Sequence, residues 1–96
     1  MKILVSVQAD QDLLEIFSYL APLSPSAAQA AAEAIDEKMR NLANFPFIGP
    51  ARPSLAAGMR SAVVGTHVIF YTVNNDHITV VRILDGRRDI DAEFRR

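Results

Sequence analysis

The segment Pro22-Leu23-Ser24-Pro25 constrains this chain more than any other, because it cuts an otherwise helical stretch in two. Proline breaks a helix interior, whereas serine followed by proline opens one. The serine caps free N–H groups, and the proline sits where no N–H is needed. Before the cut, Asp10 is placed to cap a helix, with Asp12 and Glu15 near its positive end. Leu13, Ile16, Phe17 and Leu20 then recur with the period of one buried face, and Pro22 is expected to end the helix. After the cut, Ala28, Ala31, Ala32, Ile35, Met39 and Leu42 form a second stripe that should run to about Asn44. The first half of this helix is almost all alanine, whose helix propensity argues for order rather than low complexity. Small side chains allow close approach, so residues 10–43 are expected to form a tight antiparallel helical hairpin.

The flanks of that hairpin read as strands. Lys2–Gln8 is rich in β-formers, and three further runs follow at Met59–Val64, Thr66–Val73 and His77–Leu84. Gly65 serves one turn and Asn74-Asn75-Asp76 the next. Between hairpin and strands, residues 44–58 hold Pro46, Gly49, Pro50, Pro53 and Gly58. That connector is irregular, and its Phe45, Phe47, Ile48 and Leu55 are expected to be buried. The order β-α-α-β-β-β predicts an α+β fold: a helical hairpin packed on a small, antiparallel-rich sheet, in one domain spanning residues 1–96.

A hairpin of helices covers one face of a sheet only. Yet the last strand is apolar at both parities, with Ile78, Val80 and Leu84 set against Thr79, Val81 and Ile83. Either the connector and C-terminal tail cover the second face, or a partner does.

Charge limits the functional classes. The formal net charge is −1, which argues against a surface that coats nucleic acid, and no sequence-specific nucleic-acid binding is expected. The chain has no cysteine, which excludes disulfides, thiolate metal sites and a cysteine nucleophile. Asp85, Asp89 and His77 lack metal-site spacing, the four glycines make no phosphate-cradling loop, and no cofactor is expected. No apolar run approaches the ~20 residues that span a bilayer, and the N-terminus is too short for a signal peptide, so a cytoplasmic protein is expected.

The chemistry concentrates in arginine. Eight of the ten basic residues are arginines, and six of these lie from Arg60 onward. In Val81-Arg82-Ile83-Leu84-Asp85-Gly86-Arg87-Arg88-Asp89 a strand carries one guanidinium and delivers two more at its end. Such a group recognises phosphate or carboxylate, or is locked in internal ion pairs, and both readings stand for Arg60, Arg82, Arg87 and Arg88. His67 and His77 lie near turns, and no set of base, cation and acid for RNA cleavage is visible.

Taken in order, these features resemble the ParE/RelE toxin superfamily, and within it the ParE branch. The resemblance spans most of the chain. It rests on Ala9-Asp10-Gln11-Asp12-Leu13-Leu14-Glu15-Ile16 and Tyr19, the serine-led alanine-rich helix ending in Ile35 and Leu42, and Pro46, Gly49, Arg52, Leu55, Gly58 and Arg60. Val68-Ile69-Phe70-Tyr71 and Val80–Asp89 complete it. It implies the toxin of a type II toxin–antitoxin pair, neutralised by a ParD-like antitoxin in a hetero-oligomer, with DNA gyrase as target and no catalysis. The antitoxin would lie helical in the hairpin groove and extended along the sheet edge. A ribosome-dependent mRNA endonuclease of the RelE type, and an inactive toxin-like binding module, are the alternatives. Many relatives carry histidine where this chain has Asp85, which removes a general base or gives Arg87 or Arg88 an internal partner.

Overall fold

A computed structural model describes residues 1–95. It places β1 (Lys2–Val5), α1 (Val7–Leu23), α2 (Pro25–Asn44), β2 (Arg60–Val64), β3 (His67–Val73), β4 (His77–Asp85) and α3 (Ile90–Arg95) in that order. The sheet order is β1-β4-β3-β2. The last three strands form an antiparallel meander, and β1 joins its β4 edge in parallel, Lys2 opposite His77 and Val5 opposite Val80.

The first strand is shorter than expected because Ser6, not Asp10, starts α1. The Ser6 hydroxyl accepts the Ala9 N–H and donates to the Val81 carbonyl, so one side chain caps the helix and ties it to β4. At the far end α1 runs one residue past Pro22 before the Ser24 N–H closes on the Leu20 carbonyl. Ser24 then caps α2 through the Ala27 N–H, with Pro25 in the first turn, as the sequence predicts.

Two apolar clusters flank the sheet. On the hairpin side, Ala9, Ile35 and Leu42 meet Ile69, Tyr71, Ile78, Val80 and Ile83, with Leu13, Ile16 and Met39 packed at the margin. On the opposite side, Met59, Phe70 and Leu84 are covered by Leu55, Ile90 and Phe94. Connector and tail therefore share the second face, and the Phe94 ring stands edge-on to Phe70 at 5.0 Å between centroids.

The even-and-odd division of β4 does not survive. Phe70 lies opposite Arg82 and Tyr71 opposite Val80, so β4 carries a bulge with Val81 as the extra residue. A bulge reverses the alternation beyond it. Ile83 thereby joins Ile78 and Val80 against the hairpin, and Leu84 moves to the opposite face.

The connector departs further from expectation. Leu55 is partly buried, but Phe45, Phe47 and Ile48 are each more than 60% exposed. Their backbone is pinned from beneath. The buried Tyr71 hydroxyl donates to the Pro46 carbonyl at 2.8 Å and accepts the Gly49 N–H at 3.1 Å. A Cβ on Gly49 would lie 2.3 Å from the Ser61 carbonyl oxygen, so the loop can close on the sheet only with glycine there. The polar clamp fixes the loop's path, and the flanking apolar side chains point outward.

Helix α3 is absent from the sequence expectation. Asp89 starts it, its side chain accepting the Ala92 N–H. The helix is six residues long, below the length at which a helix signal stands out from its surroundings.

Candidate functional site

The four arginines do not form one cluster. β3 lies between the strands that carry Arg60 and Arg82, so those two are not cross-strand neighbours. Arg60 opens β2 and turns back under the connector, donating to the Phe47 and Gly49 carbonyls with its guanidinium 5.0 Å from the Phe47 ring centroid. Its observed role is to brace the exposed loop.

Arg82 sits at the bulge. Its Nε and terminal nitrogen donate to the two carboxylate oxygens of Asp12 at 2.8 and 3.0 Å. One of those oxygens also accepts the Ile83 N–H at 2.9 Å. The pairing follows from the topology. β1 ends at Val5, leaving the outer edge of β4 without a strand partner beyond Val80, and α1 crosses that edge. Ser6 takes the Val81 carbonyl and Asp12 takes the Ile83 N–H, so two α1 side chains replace the missing ladder. Asp12 is 6% exposed, and a carboxylate so buried is tolerable because both oxygens accept hydrogen bonds, two of the three from a cation. The paired carboxylate holds the Arg82 guanidinium still more firmly in its charged form, against the opposing effect of burial; Glu93 and Glu15 add to this.

Glu93 extends the network. It lies 3.7 Å from the Arg82 guanidinium and pairs with Arg88, tying α3 to β4 through charge as Phe94 does through packing. Between α1, β4 and α3 these groups border a polar cleft of about 290 Å³ that also includes Gln8 and Gln11.

Arg87 stands apart. Its Nε and terminal nitrogen donate to Asp85 at 3.0 and 2.8 Å, and its own backbone N–H donates to the same carboxylate at 2.9 Å. These bonds hold the Asp85 carboxyl well below the ordinary carboxylate range, with nearby His67 a smaller influence. The Arg87 side chain is 85% exposed. Beside it α1 and the ends of β3 and β4 enclose a second cleft of about 280 Å³, walled mainly by Ile16, Tyr19 and Leu20.

The histidines occupy opposite ends of the β3–β4 hairpin. His67 lies opposite Asp85, whereas His77 starts β4, where its ring is hydrogen-bonded to Asp76 and Asn74. Among the described residues, no group of three or more His, Asp or Glu side chains is arranged to hold a metal ion.

The profile described as ParE toxin of type II toxin-antitoxin system, parDE, matches residues 3–90. The chain belongs to the ParE toxin family. Toxin ParE3 of Caulobacter vibrioides is 32% identical over 67 residues, 70% of this chain and 67% of that one. The chromosomal ParDE system of P. aeruginosa contains a chain of similar fold, with a TM-score of 0.75 and 25% identity over 88% of this chain and 95% of that one. A chain of the RelBE2 toxin–antitoxin complex of Mycobacterium tuberculosis shares the fold with a TM-score of 0.63 at 24% identity, over the same shares. The α+β architecture expected from the sequence is thus that of ParDE and RelBE structures.

Within this ParE-family chain the residues that organise the arginines were not all visible beforehand. Asp12 reads in sequence as one more acid near a helix N-terminus. Its place six residues, nearly two turns, beyond Ser6 gives no local sign of its burial. Glu93 gave no signal, because its helix gave none. The sequence offers Asp85 as a partner for Arg87 or Arg88, and the structure gives it to Arg87.

Proposed function

We propose that the toxin acts by binding rather than by catalysis, that its target is DNA gyrase, and that a ParD-like antitoxin neutralises it in a hetero-oligomer. The observation that carries this reading is the state of the charged groups. Every arginine of the sequence-derived set is engaged by a carboxylate or a carbonyl, and the two histidines are separated by the length of the hairpin. General acid–base cleavage needs a base, a cation and an acid converging on one phosphate. A binding surface needs only fixed, accessible donors. Arg87 and, at 44% exposure, Arg88 supply them, while Arg82 and Arg60 serve that surface by holding β4 and the connector in place.

The antitoxin has an open strand edge to use. β1 is paired on one side only, and Leu4 and Val5 on it and Val7 just beyond it are exposed. An extended segment could add to this edge through main-chain hydrogen bonds, with its apolar side chains over Leu4 and Val5. Cytoplasmic action fits the reading, and no helix among the described residues is long and apolar enough to cross a membrane.

Purified, antitoxin-free protein in a gyrase supercoiling and DNA-cleavage assay, run beside ribosome-programmed mRNA, tests the proposal. Lost supercoiling with accumulated cleaved DNA and intact mRNA is the expected result. Codon-placed mRNA cuts with normal supercoiling would overturn it and direct attention to His67.

A further inference from the structure

Among the described residues, only the bidentate pair of Arg87 presents its guanidinium to solvent, the arginine being 85% and Asp85 25% exposed. Arg82 is 16% exposed and shares its carboxylate with a backbone N–H, so freeing it would unmake part of the fold. Arg87 can be freed at little cost, because exposed ion pairs contribute little in water. The fork already holds one carboxylate in the geometry that a second would take. Immediately beside it Ile16, Tyr19 and Leu20 offer an apolar wall.

We propose that this cleft docks a partner-protein segment that presents one carboxylate beside an apolar side chain. An apolar side chain rests on Ile16 and Leu20 while a carboxylate takes Arg87, and Asp85 is an internal stand-in that the partner's carboxylate must displace. The proposal rests on the binding-toxin reading and names the chemistry of its partner. A protein is favoured over nucleic acid by the surroundings of the turn. Glu15 and Asp85 line the same cleft and Asp89 follows two residues after Arg87, so a dense polyanion meets repulsion that a single carboxylate beside an apolar anchor largely escapes.

The test uses wild type, D85N, R87A and D85N/R87A, each titrated with the capped dipeptide acetyl-Leu-Glu-amide and separately with inorganic phosphate. Binding is followed by ¹H–¹⁵N shifts that include the Arg87 Nε–H. D85N should bind the dipeptide about three- to tenfold more tightly than wild type, the margin of an exposed competing pair. Shifts should fall on Ile16, Tyr19 and Leu20, and both Arg87-lacking proteins should lose binding. Equal affinity for wild type and D85N, no binding to D85N, or shifts outside the cleft would overturn the proposal. Phosphate binding as tight as the dipeptide, without shifts on the apolar wall, would reduce the site to a bare anion contact and overturn the protein assignment. Growth arrest on expression separates this inference from the toxin reading. Stronger arrest by D85N that disappears in D85N/R87A supports both. Arrest by none of the four, with the titrations as expected, removes the toxin reading and leaves the cleft assignment standing.

Discussion

Asp12–Arg82 and Asp85–Arg87 are the same chemical object in two settings. Each is an aspartate gripped by both arms of an arginine and by one backbone N–H. The first bridges residues seventy positions apart and is buried; the second spans two positions and lies in solvent. Burial decides what each can do. Asp12 is almost wholly withdrawn from water and Arg82 reaches it only along the polar cleft, so the pair is costly to break and fixes α1 across the edge of β4. At the surface water competes above all for Arg87, so its half of the pair is available for exchange. Identical contacts thus have different consequences, and a count of ion pairs would miss the distinction.

Breaking the buried member should have the largest effect. Asp12→Ala strands the Arg82 guanidinium and the Ile83 N–H in the interior, and the expected loss is about 3–5 kcal/mol. For a domain of this size that lowers the thermal midpoint by roughly 15 °C or more. Asp85→Ala should lower the midpoint by only a few degrees, and calorimetry of the two variants side by side would expose equal losses if burial were irrelevant. A neutral buried contact comes next. Tyr71→Phe removes the hydroxyl that holds Pro46 and Gly49, at an expected ~1–3 kcal/mol in urea denaturation. A change too small to resolve would mean that water satisfies the loop instead.

Smaller effects sharpen the comparison without damaging the fold. Because Asp85 is depressed below its ordinary value of 3.8, its pairing favours the folded state at pH above that value. The contribution fades as pH falls towards the depressed value in the folded protein. A ¹³C carboxyl titration should therefore find the Asp85 midpoint well below 3.8, and Arg87→Ala should return it towards that value. An unaltered titration in that variant would assign the shift to something other than the pair. Smallest of all is salt. Raising ionic strength from about 0.05 to 0.5 M should speed exchange of the Arg87 Nε–H while leaving that of Arg82 unchanged, since screening acts on exposed charges.

The parts of this fold governed by local rules were legible in the sequence. Ser24-Pro25, the stripe Leu13–Ile16–Leu20, Gly65 and the three β-runs each carry their reason within a few neighbours. The misses share a different cause. Asp10 and Ser6 are both competent caps, and the choice falls to Ser6 through a bond to Val81, far along the chain. The bulge that moves Ile83 and Leu84 to opposite faces is invisible in a strand with apolar residues at both parities. Phe45, Phe47 and Ile48 look like core because apolar residues usually are. Their exposure follows from the Tyr71–Gly49 clamp, a contact between positions twenty-two apart. For the site, the sequence singled out the arginines, while their division into buried and exchangeable members depended on which acids the fold brings near.

The parallel pairing of β1 with β4 also sets an order of events. Lys2 finds His77 and Val5 finds Val80 only after most of the chain exists, so the first strand made waits longest for its partner. Such non-local closure is intrinsically slow, and until it occurs Leu4 and Val5 lie on an unsatisfied edge. On the ribosome, Asp85 and Arg87 emerge later than every strand residue that precedes them in the meander. A nascent chain therefore offers its open N-terminal edge well before it can display the guanidinium at the turn, and a protein that captures that edge early would meet the molecule before it is complete.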